Sequence, residues 1–195
     1  MLNREKTIQS LQSIKNNKFI DHTKHSYIEI QELPFVKKIN LRLDPNDKDC
    51  VSTCSKILGT MLPTKPNTYS KKEKVKVIWL GPDEWLINSD DNAFLKLLNE
   101  IEDLGASVTD VSENRTIIRI RGKKTYVLLS KFLVLDLEKN LSTDLSCAQT
   151  LFVKVPVLLV RNHYDEIPEI DIFTNRSHAN YIYNLIVDGT KNLDF

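Results

Sequence analysis

Cysteines and histidines are the first residues whose types and spacing could do chemistry. Cys50 and Cys54 are four residues apart, so on a helix both thiols would face one side and could bind one metal ion. His22 and His25 have a spacing that some metal sites use. No second Cys or His pair completes a four-ligand set, and Cys54 falls on an apolar helical stripe. We therefore interpret these thiols, and the lone Cys147, as core residues and predict no metal site.

Three arginines alternate along a predicted strand. Because side chains of a strand point to its two faces in turn, Arg115, Arg119 and Arg121 share one face. Such a row could bind a carboxylate, a phosphate or the acidic surface of a partner. A solvated outer face is an equal alternative, so we treat the three arginines as a candidate interface.

Two tryptophans bracket a predicted hairpin turn. Trp79 and Trp85 lie on either side of Gly81 and Pro82, and rigid aromatic side chains at such positions commonly pack in a core or bind a partner. We favour the core for at least one tryptophan and keep both as candidate interface residues.

Motifs for catalysis and nucleotide binding are missing from the sequence. Its five glycines are isolated, whereas a dinucleotide cradle needs three of them clustered between a strand and a helix. No Gly-Xaa-Ser-Xaa-Gly elbow occurs, and no acidic pair with a histidine indicates general acid and base catalysis. We therefore predict no catalytic residue and no cofactor-binding residue on this chain.

The composition is typical of a folded globular protein. The 195 residues suit one large domain or two small fused units, and 41% of them are hydrophobic. A formal net charge of +1 gives no field that would attract nucleic acid or an anionic membrane. Residues 1–20 contain no continuous hydrophobic run, and three cysteines form no disulfide framework. We expect a cytoplasmic protein with no nucleic-acid or membrane partner.

Residues 1–25 form a polar segment that we interpret as a flexible or partner-bound arm. After this segment, hydrophobic periodicity predicts two similar successions of helices and strands. The first succession comprises strands at 28–31 and 39–43, a helix from Asp47 to Gly59, an exposed connection at 61–74, a hairpin at 75–80 and 84–88, a helix at 94–104 that Asp90 or Asp91 begins, and a strand at 108–111. The second comprises a strand at 115–121, a short helix at 126–132, strands at 148–155, 157–160 and 170–173, and a last helix from Ser177 to Gly189 with Tyr181, Ile182, Leu185 and Ile186 inward.

Both successions follow the order of a split βαβ unit, which is strand, helix, strand, strand, helix, strand. We therefore predict an α+β fold made of two fused split βαβ, or ferredoxin-like, units. These units would form a single domain over residues 26–190, with approximate halves at 26–112 and 113–190.

A family resemblance rests on the hairpin and its neighbours. The segment Val77-Ile78-Trp79-Leu80-Gly81-Pro82-Asp83-Glu84-Trp85-Leu86-Ile87 resembles the most recognisable motif of sarcosine oxidase gamma subunits. Similar segments occur in the family's order at 33–35, 39–42, 58–63 and 66–67 before it, and at 110–112, 115–116, 147–151, 154–159 and 175–177 with Tyr181 after it. The resemblance spans roughly residues 28–187. It departs from the family at Glu113, Asn114 and Lys123, which concerns surface contacts rather than the fold.

The resemblance implies a fold like the folate-binding part of glycine-cleavage T-proteins and an accessory role with no catalytic residue on this chain. In such complexes the alpha and beta subunits carry NAD, FAD, a covalent FMN and the tetrahydrofolate site, and a delta subunit holds zinc. The complex oxidatively demethylates sarcosine to glycine, passing the one-carbon unit to tetrahydrofolate and electrons to oxygen. The implied partners are therefore the alpha, beta and delta subunits.

Other functions stay open at the level of sequence. A gamma-type subunit of a related N-methyl amino acid dehydrogenase would share these features, because an accessory subunit need not contact the substrate. A free-standing folate-binding aminomethyltransferase-like protein would need a complete folate pocket and an acidic catalytic constellation, which the sequence does not reveal. An interaction module of other purpose is the third alternative.

Overall fold

The computed structural model of the chain describes residues 28–33, 36–89, 101, 104–162, 167–191 and 193. The predicted arm at 1–25, the capping candidates Asp90 and Asp91 and most of the helix predicted at 94–104 lie outside these residues. Ile101, from that helix, is helical and fully buried.

Ten strands and four helices follow one another along the described chain. The strands are β1 (Glu29–Leu33), β2 (Lys37–Arg42), β3 (Tyr69–Lys72), β4 (Val75–Gly81), β5 (Glu84–Ser89), β6 (Ser107–Asp110), β7 (Arg115–Arg121), β8 (Cys147–Phe152), β9 (Val155–Arg161) and β10 (Glu169–Asn175). The helices are α1 (Lys48–Leu58), α2 (Thr125–Ser130), α3 (Leu137–Asn140) and α4 (Arg176–Thr190).

The strands form two five-stranded antiparallel sheets. The first sheet has the order β3-β4-β5-β2-β6, and the second has the order β1-β7-β10-β9-β8. In the first, β2, β4, β5 and β6 occupy the positions of a split βαβ unit, and β3 is an extra edge strand. The second sheet has the same arrangement. Its β7, β9, β10 and β1 take the places of the four strands of a split βαβ unit, and β8 is the extra edge strand. This confirms the predicted α+β fold and shows that the chain's first described strand completes the second sheet.

Local sequence explains why α1 begins and ends where predicted. The Asp47 side chain accepts a hydrogen bond from the Cys50 backbone N–H, which satisfies one of the free donors of the first turn. At the other end, Gly59 adopts a left-handed conformation with φ of 68°, which glycine tolerates at low cost. Cys50, Cys54 and Leu58 are buried on the face that packs against the first sheet.

Three apolar clusters hold the layers together. One lies between the first sheet and α1 and contains Trp85 and Ile101. A second lies between the second sheet and helices α2, α3 and α4. The third contains Ile78 and Leu86 of the first sheet together with Leu158 and Phe173 of the second, so the two sheets pack face to face.

The predicted exposed connection at 61–74 was wrong in its second half, which forms edge strand β3. Within this segment, Leu62 is 4% exposed and Tyr69 is 3% exposed. The Tyr69 hydroxyl donates to the Arg161 carbonyl at 2.7 Å. A buried aromatic ring with a satisfied hydroxyl therefore anchors a stretch whose other residues are mostly polar.

Two further expectations need correction. The strand predicted at 148–155 ends at Phe152, because Val153 turns the chain with φ of 57° and β9 starts at Val155. Tyr181 was predicted to face inward and is 48% exposed, whereas Ile182 and Ile186 are buried as predicted. The turn of a helix separates these neighbours by about 100°, which places them on different faces.

Gly189 was predicted to end the last helix. It lies instead within the last turn of α4. A Cβ atom at this position would lie 2.7 Å from Phe132 Cζ and 2.9 Å from Leu128 Cδ1. The glycine is therefore required by the close approach of α4 to the end of α2, and not by a left-handed cap.

Candidate functional site: a charge cluster between the sheets

The arginine row of β7 points toward the first sheet. Ile118 of β7 belongs to the cluster beneath the helices, whereas Ile117 belongs to the cluster between the sheets. Because side chains alternate along a strand, Arg115, Arg119 and Arg121 share the side of Ile117. The predicted common face thus lies at the inter-sheet layer, with all three side chains partly buried.

Arg119 is bound by a carboxylate of the neighbouring strand β10. Its Nε and Nη2 atoms donate to Asp171 Oδ1 and Oδ2 at 2.7 and 2.9 Å, and Nε also lies 3.2 Å from Glu169 Oε1. Asp171 is 1% exposed. A bidentate ion pair in such a dry position fixes the geometry of both side chains.

A lysine from the first sheet joins this pair. Lys76 Nζ lies 3.2 Å from Asp171 Oδ2 and donates to Asn162 Oδ1 at 2.5 Å. Asn162 in turn donates from Nδ2 to Glu169 Oε1 at 2.8 Å. We call Lys76, Arg119, Asn162, Glu169 and Asp171 the inter-sheet charge cluster, because they link β4 of the first sheet to the second sheet.

The charges within the inter-sheet charge cluster balance, since two cations face two carboxylates. Burial alone would raise the pKa of Asp171, but hydrogen bonds from Arg119 and the charges of Lys76 and Arg119 outweigh it. The pKa of Asp171 therefore lies below its usual value. Asp171 is therefore ionised at neutral pH, and Arg119 and Lys76 bind its oxygens. The cluster links the two sheets and does not transfer protons.

Arg115 and Arg121 also lie near carboxylates of their own chain. Burial lowers the pKa of Arg115, and the negative charge of Glu84 opposes that effect. Arg121 lies in register between Glu29 of β1 and Glu169 of β10. Their role as contacts with a partner stays a prediction.

A second buried lysine lies on the same side of the first sheet. Lys38 is 2% exposed, and its Nζ donates to the Val36 carbonyl at 2.7 Å. Burial, followed by the positive charge of Arg176, lowers the pKa of Lys38 to about 8. Its backbone N–H donates to Ser112 Oγ at 2.9 Å, which ties β2 to the segment after β6.

Sequence reasoning missed Lys38, Lys76 and Asp171. A charged residue that alternates with apolar neighbours along a strand indicates a face exposed to solvent. No local pattern indicates that a second sheet covers that face. One usable signal was present. Glu169 and Asp171 alternate in a strand whose acidic face could have been matched to the arginine row of β7.

The three cysteines are buried, Cys50 and Cys54 on the inner face of α1 and Cys147 between the sheets. Burial raises the pKa of Cys54 and of Cys147 to about 12. The thiols of Cys54 and Cys147 are therefore protonated at neutral pH, which makes them poor nucleophiles. Within the described ranges, no group of three or more His, Cys, Asp or Glu residues could hold a metal ion. His22 and His25 lie outside those ranges.

The two hairpin tryptophans have different environments. Trp85 is 1% exposed in the core beside α1, and its Nε1 donates to the Pro63 carbonyl at 2.9 Å. Trp79, its register partner in β4, is partly exposed. Trp85 is thus a core residue, and Trp79 stays a candidate interface residue.

Comparison with known proteins gives relatives of one kind, although no family model matches the chain. The sarcosine oxidase subunit gamma of Corynebacterium sp. (strain P-1) is 28% identical over 138 residues, which are 69% of this chain and 67% of that protein. The subunit of the same name from Arthrobacter sp is 26% identical over 137 residues, again 69% of this chain and 67% of that protein.

The chain is thus similar in sequence to sarcosine oxidase gamma subunits over about two thirds of its length. Solved structures agree with the gamma-subunit likeness at the level of fold. Heterotetrameric sarcosine oxidase from Corynebacterium sp. U-96 contains a chain that matches with a TM-score of 0.78 at 22% identity, over 86% of each chain. Glycine cleavage system aminomethyltransferase T from Bartonella henselae matches with a TM-score of 0.63 at 12% identity, over 84% of this chain and 46% of that one. The predicted resemblance to gamma subunits and to the T-protein fold is confirmed.

None of the helices in the part of the chain that the structure describes has the length and apolar character needed to cross a membrane.

Proposed function

We propose that this chain is the gamma subunit of a heterotetrameric sarcosine oxidase and acts as an accessory subunit of that oxidoreductase complex. The agreement of sequence and fold carries the proposal. Relatives named as this subunit match 69% of the chain, and a chain of a heterotetrameric sarcosine oxidase has the same fold over 86% of both chains.

The complex would oxidatively demethylate sarcosine to glycine in the cytoplasm, with the one-carbon unit transferred to tetrahydrofolate and the electrons to oxygen. In this proposal FAD, FMN, NAD, tetrahydrofolate and zinc belong to the alpha, beta and delta partner subunits. The side chains of the present chain support an accessory role. Asp171 is ionised and engaged by two cations, and burial keeps the thiols of Cys54 and Cys147 protonated.

The contribution of such a subunit is a rigid surface for assembly. The inter-sheet charge cluster and the apolar cluster around Ile78 and Phe173 join the two sheets. Paired sheets keep the positions of their loops and edges fixed relative to one another, which lowers the entropy lost when a partner docks.

Co-expression with the flavin-bearing chains of its own host tests the proposal, with an affinity tag on this chain. The expected result is a yellow complex of fixed stoichiometry that oxidises sarcosine, whereas the chain expressed alone is colourless and inactive. The same flavin-bearing chains expressed with an untagged copy are the control for nonspecific capture. A lone monomer that binds tetrahydrofolate, and no flavin-bearing chain, would overturn the proposal.

A further inference from the structure

The apolar inner face of the second sheet extends past the edge of the first sheet. Cys147, Leu158 and Val160 of this face are buried in the inter-sheet cluster. Gln149 of β8 marks the border, because its Nε2 donates to the carbonyl of Leu80, near the end of β4, at 2.8 Å. The next residues on that face therefore have no covering strand of the first sheet.

Three apolar side chains form a row beyond this border. Leu151 of β8 is 53% exposed, and its register partner in β9 is Pro156, which is also exposed. On the outer side of β8, an antiparallel bridge pairs Leu133 with Phe152 and so places Val134 beside Leu151. Val134 is fully exposed.

The turn that follows β8 adds a fourth apolar side chain. Val153 is 45% exposed and has a φ of 57°. A β-branched residue is an outlier in the left-handed region, and hairpin turns at such positions prefer glycine or asparagine. Folding of the isolated chain would favour another residue here. Such strain is a reason to look for a function at the site.

We propose that Val134, Leu151, Val153 and Pro156, which we call the overhang, dock a different subunit of the complex. This inference rests on the proposed function and names the surface that serves it. A contiguous exposed apolar patch on an otherwise ordinary surface is typical of a site that another protein covers. Along the outer edge of β8, the described residues form single bridges at Ser146, just before the strand, and at Phe152. The same partner could pair with the backbone between these two bridges.

The charges around the overhang indicate what its partner is like. Lys154 follows Val153 in the turn and is exposed. Lys131 lies three residues before Val134, and its Nζ donates to the Gly189 carbonyl at 2.8 Å, on the side of the helices. Asp136, two residues after Val134, uses its carboxylate to cap α3. A two-fold contact between two copies of this chain would bring the two Lys154 side chains toward each other. The partner is therefore an unlike subunit that presents an apolar surface with carboxylates at its rim.

A pair of matched substitutions separates docking from folding. Val153→Asn removes an exposed apolar side chain and relieves the positive φ, so the free chain should melt at the same or a higher temperature while complex formation weakens about tenfold. Leu145→Asn is the control. Leu145 lies at the other end of β8, is 42% exposed and has a φ of 64°. Its substitution relieves the same strain away from the overhang and should leave assembly unchanged.

Substitutions at Val134 test the charge of the partner. Val134→Glu and Val134→Lys both introduce charge at a fully exposed residue and should leave the melting temperature of the free chain unchanged. Because the rim of the partner is acidic, the glutamate variant should weaken association with the co-expressed flavin-bearing chains more than the lysine variant, by about tenfold.

The outcomes separate this inference from the proposed function. If wild-type chain assembles and the Val134 and Val153 variants assemble equally well, the overhang is not the docking surface and the proposed function stands. If Leu145→Asn weakens assembly as much as Val153→Asn, the effect is not local to the overhang and the inference fails. If wild-type chain captures no flavin-bearing chain, or pairs with a second copy of itself through the overhang, both proposals fail.

Discussion

Among single residues, Asp171 has the carboxylate that meets cations of both sheets, Lys76 of β4 and Arg119 of β7. It accepts from Arg119 and faces Lys76, and it is 1% exposed. Asp171→Asn leaves the buried Lys76 and the partly buried Arg119 with one carboxylate fewer, so we expect the free energy of unfolding to fall by about 3 to 5 kcal/mol. Urea denaturation of the purified chain measures this loss.

An exposed ion pair is the matched control for Asp171→Asn. Arg42 Nη2 lies 3.3 Å from Asp83 Oδ2, and the two side chains are 56% and 52% exposed. Because water screens such a pair, Asp83→Asn should cost less than about 1 kcal/mol. Equal losses at the two positions would contradict a structural role for the inter-sheet charge cluster.

The lowered pKa of Asp171 predicts how stability depends on pH. The pKa is lower in the folded chain than the usual value of about 3.9 in the unfolded chain. The stability that this group contributes is therefore complete above the unfolded pKa and is lost as pH falls through the folded pKa. Denaturation midpoints measured from neutral pH into acid should fall less steeply for Asp171→Asn than for the wild type. Parallel curves would contradict the prediction.

Among elements, the β4–β5 hairpin depends on the packing of Trp85. Trp85→Ala removes a ring that is 1% exposed and frees the Pro63 carbonyl from its hydrogen bond. We expect a loss of about 3 to 5 kcal/mol and a lower yield of complex. Trp79→Ala, at the partly exposed register partner, should cost less. An unchanged melting temperature and yield with lower turnover of the assembled enzyme would give Trp85 a direct functional role instead.

The contact of α4 with α2 depends on Gly189. Alanine favours a helix over glycine by about 1 kcal/mol, but a Cβ here would lie 2.7 Å from Phe132 Cζ. That ring is itself stacked on Phe152, with centroids 5.0 Å apart. We expect the clash to prevail and Gly189→Ala to lose about 1 to 3 kcal/mol in thermal or urea unfolding. Asn184→Ala, on the exposed face of α4, is the control and should be neutral or stabilising.

Elements with strong local signals were predictable from sequence. The caps at Asp47 and Gly59, the hairpin around Gly81 and the alternation in β7 each indicate their structure within a few residues. Tyr69 is the one residue of β3 that indicates a buried strand, because the residues that follow it are Ser and Lys. One aromatic residue is too weak a pattern to predict a strand. The positive φ of Val153 also has no sequence signal, since valine is unfavourable there.

For the whole molecule, the resemblance to gamma subunits predicted the fold correctly, while the layer between the sheets was not predictable. Lys38, Lys76 and Asp171 lie on strand faces that would be solvated in an isolated sheet. They become buried when two sheets pack face to face, and β1 reaches the second sheet only through pairing between distant parts of the chain. Periodicity is local, so it does not report contacts of this kind.

Native mass spectrometry of the material captured through this chain shows whether the chain belongs to a heterotetramer. We expect one dominant assembly with a mass equal to the sum of four different chains, in which this 22.5 kDa chain occurs once. Dissociation in the gas phase should release the chain without flavin. A dominant species at 22.5 kDa, or a multiple of that mass alone, would mean that the chain is not a subunit of such a complex.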